Sequence, residues 1–375
     1  MSGSPQKNFL RYVAPQRQRP SEYEEVTLHS QWSPTNFAKQ GWFNYGLDGR
    51  PCWDDRSTRL RCETIARPPT WWYDERRAGQ PAVALDRDHQ IEQVGQQAQA
   101  GWWGYRDPAQ MWFRPYVEVQ AGQENMLELA TQGAERLEQY RSVKPDWLKF
   151  LGGYYAAWRH VEYGLFMALC YAQREALSDV IATPFLFQAV DKERHAQDIA
   201  LHCMALEQMV EGFSDAGEIE IWMNEPAYQP IRRYIEYLLA SRDWAEILVA
   251  VNFVFEPLVA RLMNNCIVAQ QGSACGDTVT PLIAQSAEAD RQRAIAATLE
   301  FCRFVLRNVS ANKEVIEEWI ARWTALALAA AEGLRSMAVH SPGSEDAFQS
   351  AFEQCKAEQR ALLASAGLSC AGASA

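Results

Sequence analysis

Two Asp-x-x-Arg pairs, Asp191–Arg194 and Asp290–Arg293, recur 99 residues apart in this chain. Each follows an acid set in an apolar stretch, Glu162 before the first and Glu256 before the second. Two acids on two helices, with two i,i+3 pairs on two more, is how carboxylate-bridged di-iron four-helix bundles present their ligands. In such a site the i,i+3 partner is histidine, whose imidazole offers iron a lone pair. Here both partners are arginine. A guanidinium has five donors, no acceptor and a permanent charge. The six residues therefore read as vestigial di-iron positions turned into structural salt bridges. No catalytic and no metal-ligating residue is expected in the chain.

Glu256 is the sharpest of the six. It sits in Ala250-Val251-Asn252-Phe253-Val254-Phe255-Glu256-Pro257-Leu258-Val259-Ala260, where only Asn252 and Glu256 are polar. A helix apolar nearly all round is buried. A carboxylate inside it must be paired or protonated. With Arg194 and Arg293 expected on neighbouring helices, Glu256 reads as an acceptor for a buried arginine rather than as a metal ligand. Pro257 is expected to bend the helix. Asp191 and Arg194 share one helix face, as do Asp290 and Arg293. One such pair alone is usually a solvated surface contact; the order acid, acid, Arg, met twice, is more specific.

The histidines supply no standard ligand pair. Only His89 has an acid three residues before it, Asp86, and that pair lies in the irregular stretch 81–90. Lys192 stands three residues before His195, and Ile199 before His202. His160 lies on the opposite side of its helix from Glu162. There is no Gly-rich phosphate loop, no G-x-S-x-G and no visible Ser/His/Asp set. An active di-iron oxygenase or oxidase remains an alternative if His160 or His195 turns toward the acids. A helical scaffold with no enzyme partner is another.

The elements that must hold these residues are long helices. They are expected at about 108–140, 146–173, 176–212, 227–241, 243–270, 281–308, 312–338 and 345–365. Asp107-Pro108 and Thr280-Pro281 are cap-plus-proline starts. Trp244, Ile247, Leu248, Val251, Phe255, Leu258 and Leu262 follow the helical period. Residues 107–375 thus form an all-α, long-helix bundle. Residues 1–106 differ: rich in Pro, Gly and Arg, they carry many aromatics without helical periodicity. They read as an extended arm, with an irregular insert near 64–100, laid over a partner or over the chain's own helices. Trp32, Trp42, Phe43, Trp53, Trp102, Trp103, Trp112 and Tyr116 are candidates for a subunit interface.

The chain has 375 residues, 48% of them hydrophobic, with 14 Trp. That is enough to bury a large core. Its formal charge of −11, without a dense basic cluster, speaks against nucleic-acid binding. The nine cysteines are odd in number and include no C-x-x-C, as in a reduced cytoplasmic protein. No signal peptide and no membrane span is expected.

Three stretches carry a family resemblance. They are Tyr105-Arg106-Asp107-Pro108 with Trp112 and Pro115-Tyr116-Val117; Glu162-Tyr163-Gly164-Leu165-Phe166 with Arg174-Glu175-Ala176-Leu177-Ser178-Asp179-Val180; and Tyr23-Glu24-Glu25-Val26-Thr27. Together they resemble the beta (small) hydroxylase subunit of bacterial soluble di-iron multicomponent monooxygenases, the group that oxidises methane, propane, alkenes, phenol and toluene. The resemblance covers most of the chain; the stretch 64–100 departs from it by its length. It implies a ferritin-like, ribonucleotide-reductase-like fold. It implies that the di-iron centre and the substrate pocket belong to a catalytic alpha subunit, and that this chain supports it without an active site of its own. It further implies an assembly with two copies each of alpha, beta and gamma. A coupling protein and an NAD(P)H reductase would be transient partners.

Overall fold

The computed structural model describes residues 58–61, 105–176, 179–338 and 344–369. Among them the chain is all-helical, as expected. Helix α1 spans Phe113–Arg136. Helix α2, Pro145–Phe150, runs through a π-helical turn, Leu151–Tyr155, into α3, Ala156–Glu175. Then come α4, Asp179–Met209; α5, Glu218–Asn224; and α6, Gln229–Ala240. Helix α7, Trp244–Val249, continues as π-helix over Ala250–Ala260 and Leu262–Gln271. A single turn, α8 at Gly272–Ala274, precedes α9, Thr280–Asn308; α10, Asn312–Met337; and α11, Ser344–Ser365.

The segment that starts with α7 is the axis of the molecule. Every residue from Trp244 to Ala260 is buried, because α3, α9, α10 and α11 all pack around it. Asp243 starts it, accepting hydrogen bonds from the backbone N–H of Ala245 at 3.0 Å and Glu246 at 3.3 Å. Such a cap satisfies donors that the first turn leaves open. Pro257 has no N–H to return to the carbonyl of Phe253. The helix does not break there: it winds wider, and the Gln359 amide donates to the Phe253 oxygen from α11 at 3.0 Å. A helical proline is tolerated when the freed carbonyl finds another donor.

Two expected boundaries shift. Asp107-Pro108 makes a turn rather than the start of α1: the Asp107 carboxylate accepts from the N–H of Ala109 and Met111, and Gln110 takes a left-handed φ of 46°. That conformation stops a helix, so α1 begins five residues after Pro108. The second difference is α5, which lies in a stretch read as a break. Arg159 on α3 holds it by ion pairs to Asp215 at 2.8 Å and Glu218 at 2.6 Å. At the start of α9 the capping carboxylate is Asp277, which accepts from the N–H of Val279 and Thr280 and from Trp147 Nε1 at 2.9 Å.

Most of the N-terminal arm lies outside the described residues, including Trp32, Trp42, Phe43, Trp53, Trp102, Trp103, the stretch 64–100 and the Asp86–His89 pair. The parts described sit on this chain's own helices. Arg59 N–H donates to Asp243 and its guanidinium pairs with Glu318. Arg61 exchanges two hydrogen bonds with the Asn312 side chain, and Leu60 between them is buried. Tyr105 is buried against Phe301 and Phe304 and donates to the Ala297 carbonyl at 3.1 Å. All six cysteines among the described residues are free thiols, and five of them are buried. No helix of the described residues is long and apolar enough to cross a membrane.

Helices approach most closely where glycine replaces a side chain. A methyl group on Gly333 of α10 would lie 2.4 Å from the Ala227 carbonyl oxygen just before α6. Backbone cannot yield there as a flexible side chain can. Gly333→Ala is expected to destabilise the chain by about 1–3 kcal/mol. Denaturant unfolding of the variant checks this; an unchanged midpoint would mean that α10 and the turn before α6 are not in contact.

Candidate functional site

Glu162 on α3 and Glu256 on the central helix face each other across the bundle, both fully buried. The group between them is Lys192 of α4. Its Nζ lies 3.2 Å from Glu162 Oε2 and 2.5 Å from Glu256 Oε1. His195, one turn further along α4, places Nδ1 3.1 Å from Glu162 Oε1. Trp158 Nε1 donates to the same oxygen at 2.9 Å. Burial pushes the Glu162 carboxyl up, but the Lys192 ammonium, and then the His195 ring beside it, outweigh it and hold the acid well below the usual carboxylate range. Burial likewise opposes the Lys192 charge, and Glu162 and Glu256 more than restore it. The ammonium stays charged because it is shared.

This corrects the expected partner of Glu256: it is Lys192, not an arginine. It also moves the register of the site by one residue on α4. The positions turned toward Glu162 and Glu256 are Lys192 and His195, not Asp191 and Arg194.

The acids and arginines of the two Asp-x-x-Arg pairs form a second network beside the first. Arg293 on α9 reaches Asp191 on α4 at 2.6 Å and Asp290 at 3.0 Å. Arg194 crosses the other way, to Asp290 at 2.5 Å, and pairs with Asp198 at 2.8 Å. The pairs thus stitch α4 to α9, and Arg293 also closes on Asp290 within its own helix. Helix α1 adds Tyr116, whose hydroxyl donates to Asp191 at 2.9 Å, and Gln120, whose amide donates to Asp191 at 3.2 Å and Asp290 at 2.9 Å. Sequence reasoning missed Gln120 and Lys192. Tyr116, taken as an interface candidate, is an internal residue: its ring stacks on Phe187 with centroids 4.3 Å apart, and the Arg293 guanidinium lies over it. Trp112 is half-buried just ahead of α1.

A cavity of about 10 Å³, enough for one water, separates the two networks. Gln188, Asp191, Lys192 and His195 line it from α4, and Ala287, Asp290, Arg291 and Ala294 from α9. Each α9 residue lies 99 positions after its α4 counterpart. The repeat seen in the Asp-x-x-Arg pairs therefore extends to the residues that face the centre of the bundle. There, Lys192-x-x-His195 on one side meets Arg291-x-x-Ala294 on the other. His160 is directed elsewhere, with Nε2 3.7 Å from Glu218.

The residues present do not fit a di-iron centre. One half of the site has an ammonium where an acid would bridge, and the other has Ala294, which carries no donor, beside Arg291, whose guanidinium is bound to Glu288 at 2.6 Å. Among the described residues no three metal-ligating side chains converge as ligands as they stand.

The sequence profile of the Methane/Phenol/Alkene Hydroxylase family matches residues 92–308. The chain belongs to that family. It is 28% identical to the small subunit of the propane 2-monooxygenase hydroxylase component from Rhodococcus jostii (strain RHA1), over 95% of this chain and 88% of that one. It is 24% identical to the methane monooxygenase component A beta chain of Methylosinus trichosporium, over 87% and 76%. A chain in the structure of toluene 4-monooxygenase with toluene in its resting active site superposes with a TM-score of 0.60 at 28% identity, covering 63% of this chain and 78% of that one. In this member of the hydroxylase family, the centre of the ferritin-like bundle is thus held by side-chain cations.

Two outcomes follow from this arrangement. Arg293→Ala leaves Asp191 buried without its guanidinium and is expected to cost about 3–5 kcal/mol; a loss below about 1 kcal/mol would place the pair in solvent. Asp191 supplies the second. Burial, and then the nearby charge of Asp290, lift its acid from 3.8 to about 6 against the pull of Arg293. Between those values the folded chain holds a proton that the unfolded chain releases, so this group's contribution to stability falls as pH rises through the window. Glu162 works in the opposite sense, its contribution being lost as pH drops below the ordinary carboxylate range. The melting temperature of Asp191→Asn plotted against pH should therefore lack the decline between about 4 and 6. A slope equal to the parent's would show that Asp191 does not titrate there.

Proposed function

We infer that this chain is the beta (small), non-catalytic subunit of a soluble di-iron monooxygenase hydroxylase that oxidises a small hydrocarbon. The observation that carries the reading is Lys192, a permanent side-chain cation set between the two buried glutamates of a bundle whose relatives are hydroxylase components. An ammonium has no lone pair to give and no redox chemistry. The chain's own residues therefore do structural work: they hold the bundle shut and present a rigid helical surface. The di-iron centre and the hydrocarbon pocket belong, on this reading, to a catalytic alpha subunit. A gamma subunit and a second copy of each chain complete the hydroxylase. An NAD(P)H reductase feeds it electrons in the cytoplasm, and a coupling protein is a second transient partner.

Surface features support a permanent partner. Phe113 and Leu129 on α1 and Leu201 and Met204 on α4 are all more than half exposed. Large apolar side chains of this kind are at home in interfaces that never come apart.

Affinity purification of the tagged full chain from its own host tests the reading. A second chain with two Glu-x-x-His motifs should travel with it in equal amount, and hydrocarbon-dependent NAD(P)H oxidation should require both. Iron should stay with the second chain, and His195→Ala in this one should leave the iron content of the complex unchanged. Recovery without such a partner, or stoichiometric iron in this chain expressed alone, would overturn the assignment.

A further inference from the structure

We propose that the helical body carries a recognition site for a short extended peptide of the form Arg-Leu-Arg, filled by the chain's own Arg59-Leu60-Arg61. The site is built from Asp243 at the start of the central helix and from Asn312, Glu318 and Trp319 of α10. It shares no residue with the two charge networks of the bundle. Each position of the tripeptide is read differently. At the first, the Arg59 N–H donates to Asp243 Oδ2 at 2.7 Å. Its guanidinium forks onto Glu318 at 3.1 Å and 2.7 Å and lies 5.8 Å from the Trp319 ring centre. At the second, Leu60 is 3% exposed and joins the main apolar core. At the third only backbone is read. The Arg61 N–H donates to Asn312 Oδ1 at 2.8 Å, and its carbonyl accepts from Asn312 Nδ2 at 2.7 Å. One side-chain amide thus accepts and donates as a neighbouring strand would, which holds an extended ligand without reading its side chain.

The reading groups are set in place by the body, not by the ligand. Asp243 is held as a helix cap by the N–H groups of Ala245 and Glu246. Asn312 Nδ2 also donates to the Val305 carbonyl at 3.0 Å, tying the end of α9 to the start of α10. A site preorganised in this way loses little on binding, so it should accept a ligand that is not covalently attached. The Arg59–Glu318 pair is half-exposed at both ends and adds little affinity; it supplies selectivity. Leu60 and Asn312 carry the binding. Filled by its own segment, the site fastens the N-terminal arm to the start of the central helix. The proposal concerns this chain alone and stands with or without a catalytic partner.

The full-length chain tests it. In the parent, the amide protons of residues 59–61 should exchange slowly with solvent. Leu60→Ser or Asn312→Ala should speed their exchange by about tenfold or more, while amides of the central helix stay protected. Arg59→Ala combined with Leu60→Ser vacates the site. The probe is the acetylated, amidated peptide Ser-Thr-Arg-Leu-Arg, the sequence of residues 57–61. Saturation-transfer NMR with the vacated chain should place the transfer mainly on the leucine methyl groups and titrate to one peptide per chain. The parent, whose tethered segment competes at high effective concentration, should bind the peptide at least about tenfold more weakly. Serine in place of the peptide's leucine, or Asn312→Ala added to the vacated chain, should abolish the transfer. Alanine in place of the last arginine should leave it unchanged. Should Asn312→Ala fail to accumulate, Asn312→Asp, which keeps the acceptor but has no donor for the Arg61 carbonyl, is read by the same criteria. Fast exchange at 59–61 in the parent, no transfer from the vacated chain, equal transfer from the parent, or indifference to the leucine would each overturn the proposal.

Discussion

A carboxylate inside an apolar core must be met by a positive charge, and this fold buries two of them face to face. Glu162 and Glu256 come from helices that could not pack together if both stayed ionised and unpaired. Desolvation of an isolated charge costs several kcal/mol, and two like charges at short range add to it. One ammonium, reaching in from α4, resolves the conflict for both. Its position fixes how α3, α4 and the central helix sit relative to one another, because the lysine must touch both acids at once. The apolar packing around it supplies most of the stability but is tolerant of small slips. The charged contact is not, and so it sets the register of the bundle.

The second network extends the same logic to α1 and α9. Arg194 and Arg293 each cross between α4 and α9, and Asp290 is shared by both guanidiniums and by Gln120. Such sharing gives Asp191 and Asp290 more than one partner each. It also explains why the helix start expected at Pro108 falls later. Tyr116 and Gln120 must both point inward over Asp191, and the turn at Asp107 to Gln110 delivers α1 at the needed angle. Asp191 stays the weakest point, since burial and then the charge of its neighbour Asp290 raise its affinity for a proton.

Long amphipathic and fully apolar segments made the architecture legible in the sequence. The expected 312–338 and 281–308 match the helices found to within one residue, and the apolar run around Glu256 is buried along its length. What escaped had no local signal. Helix α5 is short and acidic and exists because Arg159 holds its start. The extra donor to the Phe253 carbonyl near Pro257 comes from Gln359, about a hundred residues away. The register on α4 was beyond reach for a similar reason. Asp191-Lys192-Glu193-Arg194-His195 is charged or polar at every position, so periodicity cannot say which of the five faces inward. Only the neighbouring helices decide, and they select Lys192 and His195 for one network and Asp191 and Arg194 for the other.

The two halves of the bundle have diverged unequally, and the difference follows from what each must neutralise. Around the cavity the α4 and α9 residues keep one constant spacing, yet Lys192 faces Arg291 and His195 faces Ala294. Lys192 has an unbranched chain with a compact charge, which suits a gap between two carboxylates. Arg291 has a planar fork, and it takes the bidentate partner within its own helix, Glu288, through Nε and Nη2 at 2.6 Å each. That pairing keeps the guanidinium satisfied within α9, on the side of the cavity where position 294 is only an alanine. His195, by contrast, cannot shrink without consequence, because Glu162 lies against its ring. The asymmetry is what a bundle reaches when charge balance, rather than coordination, decides which side chains meet at its axis.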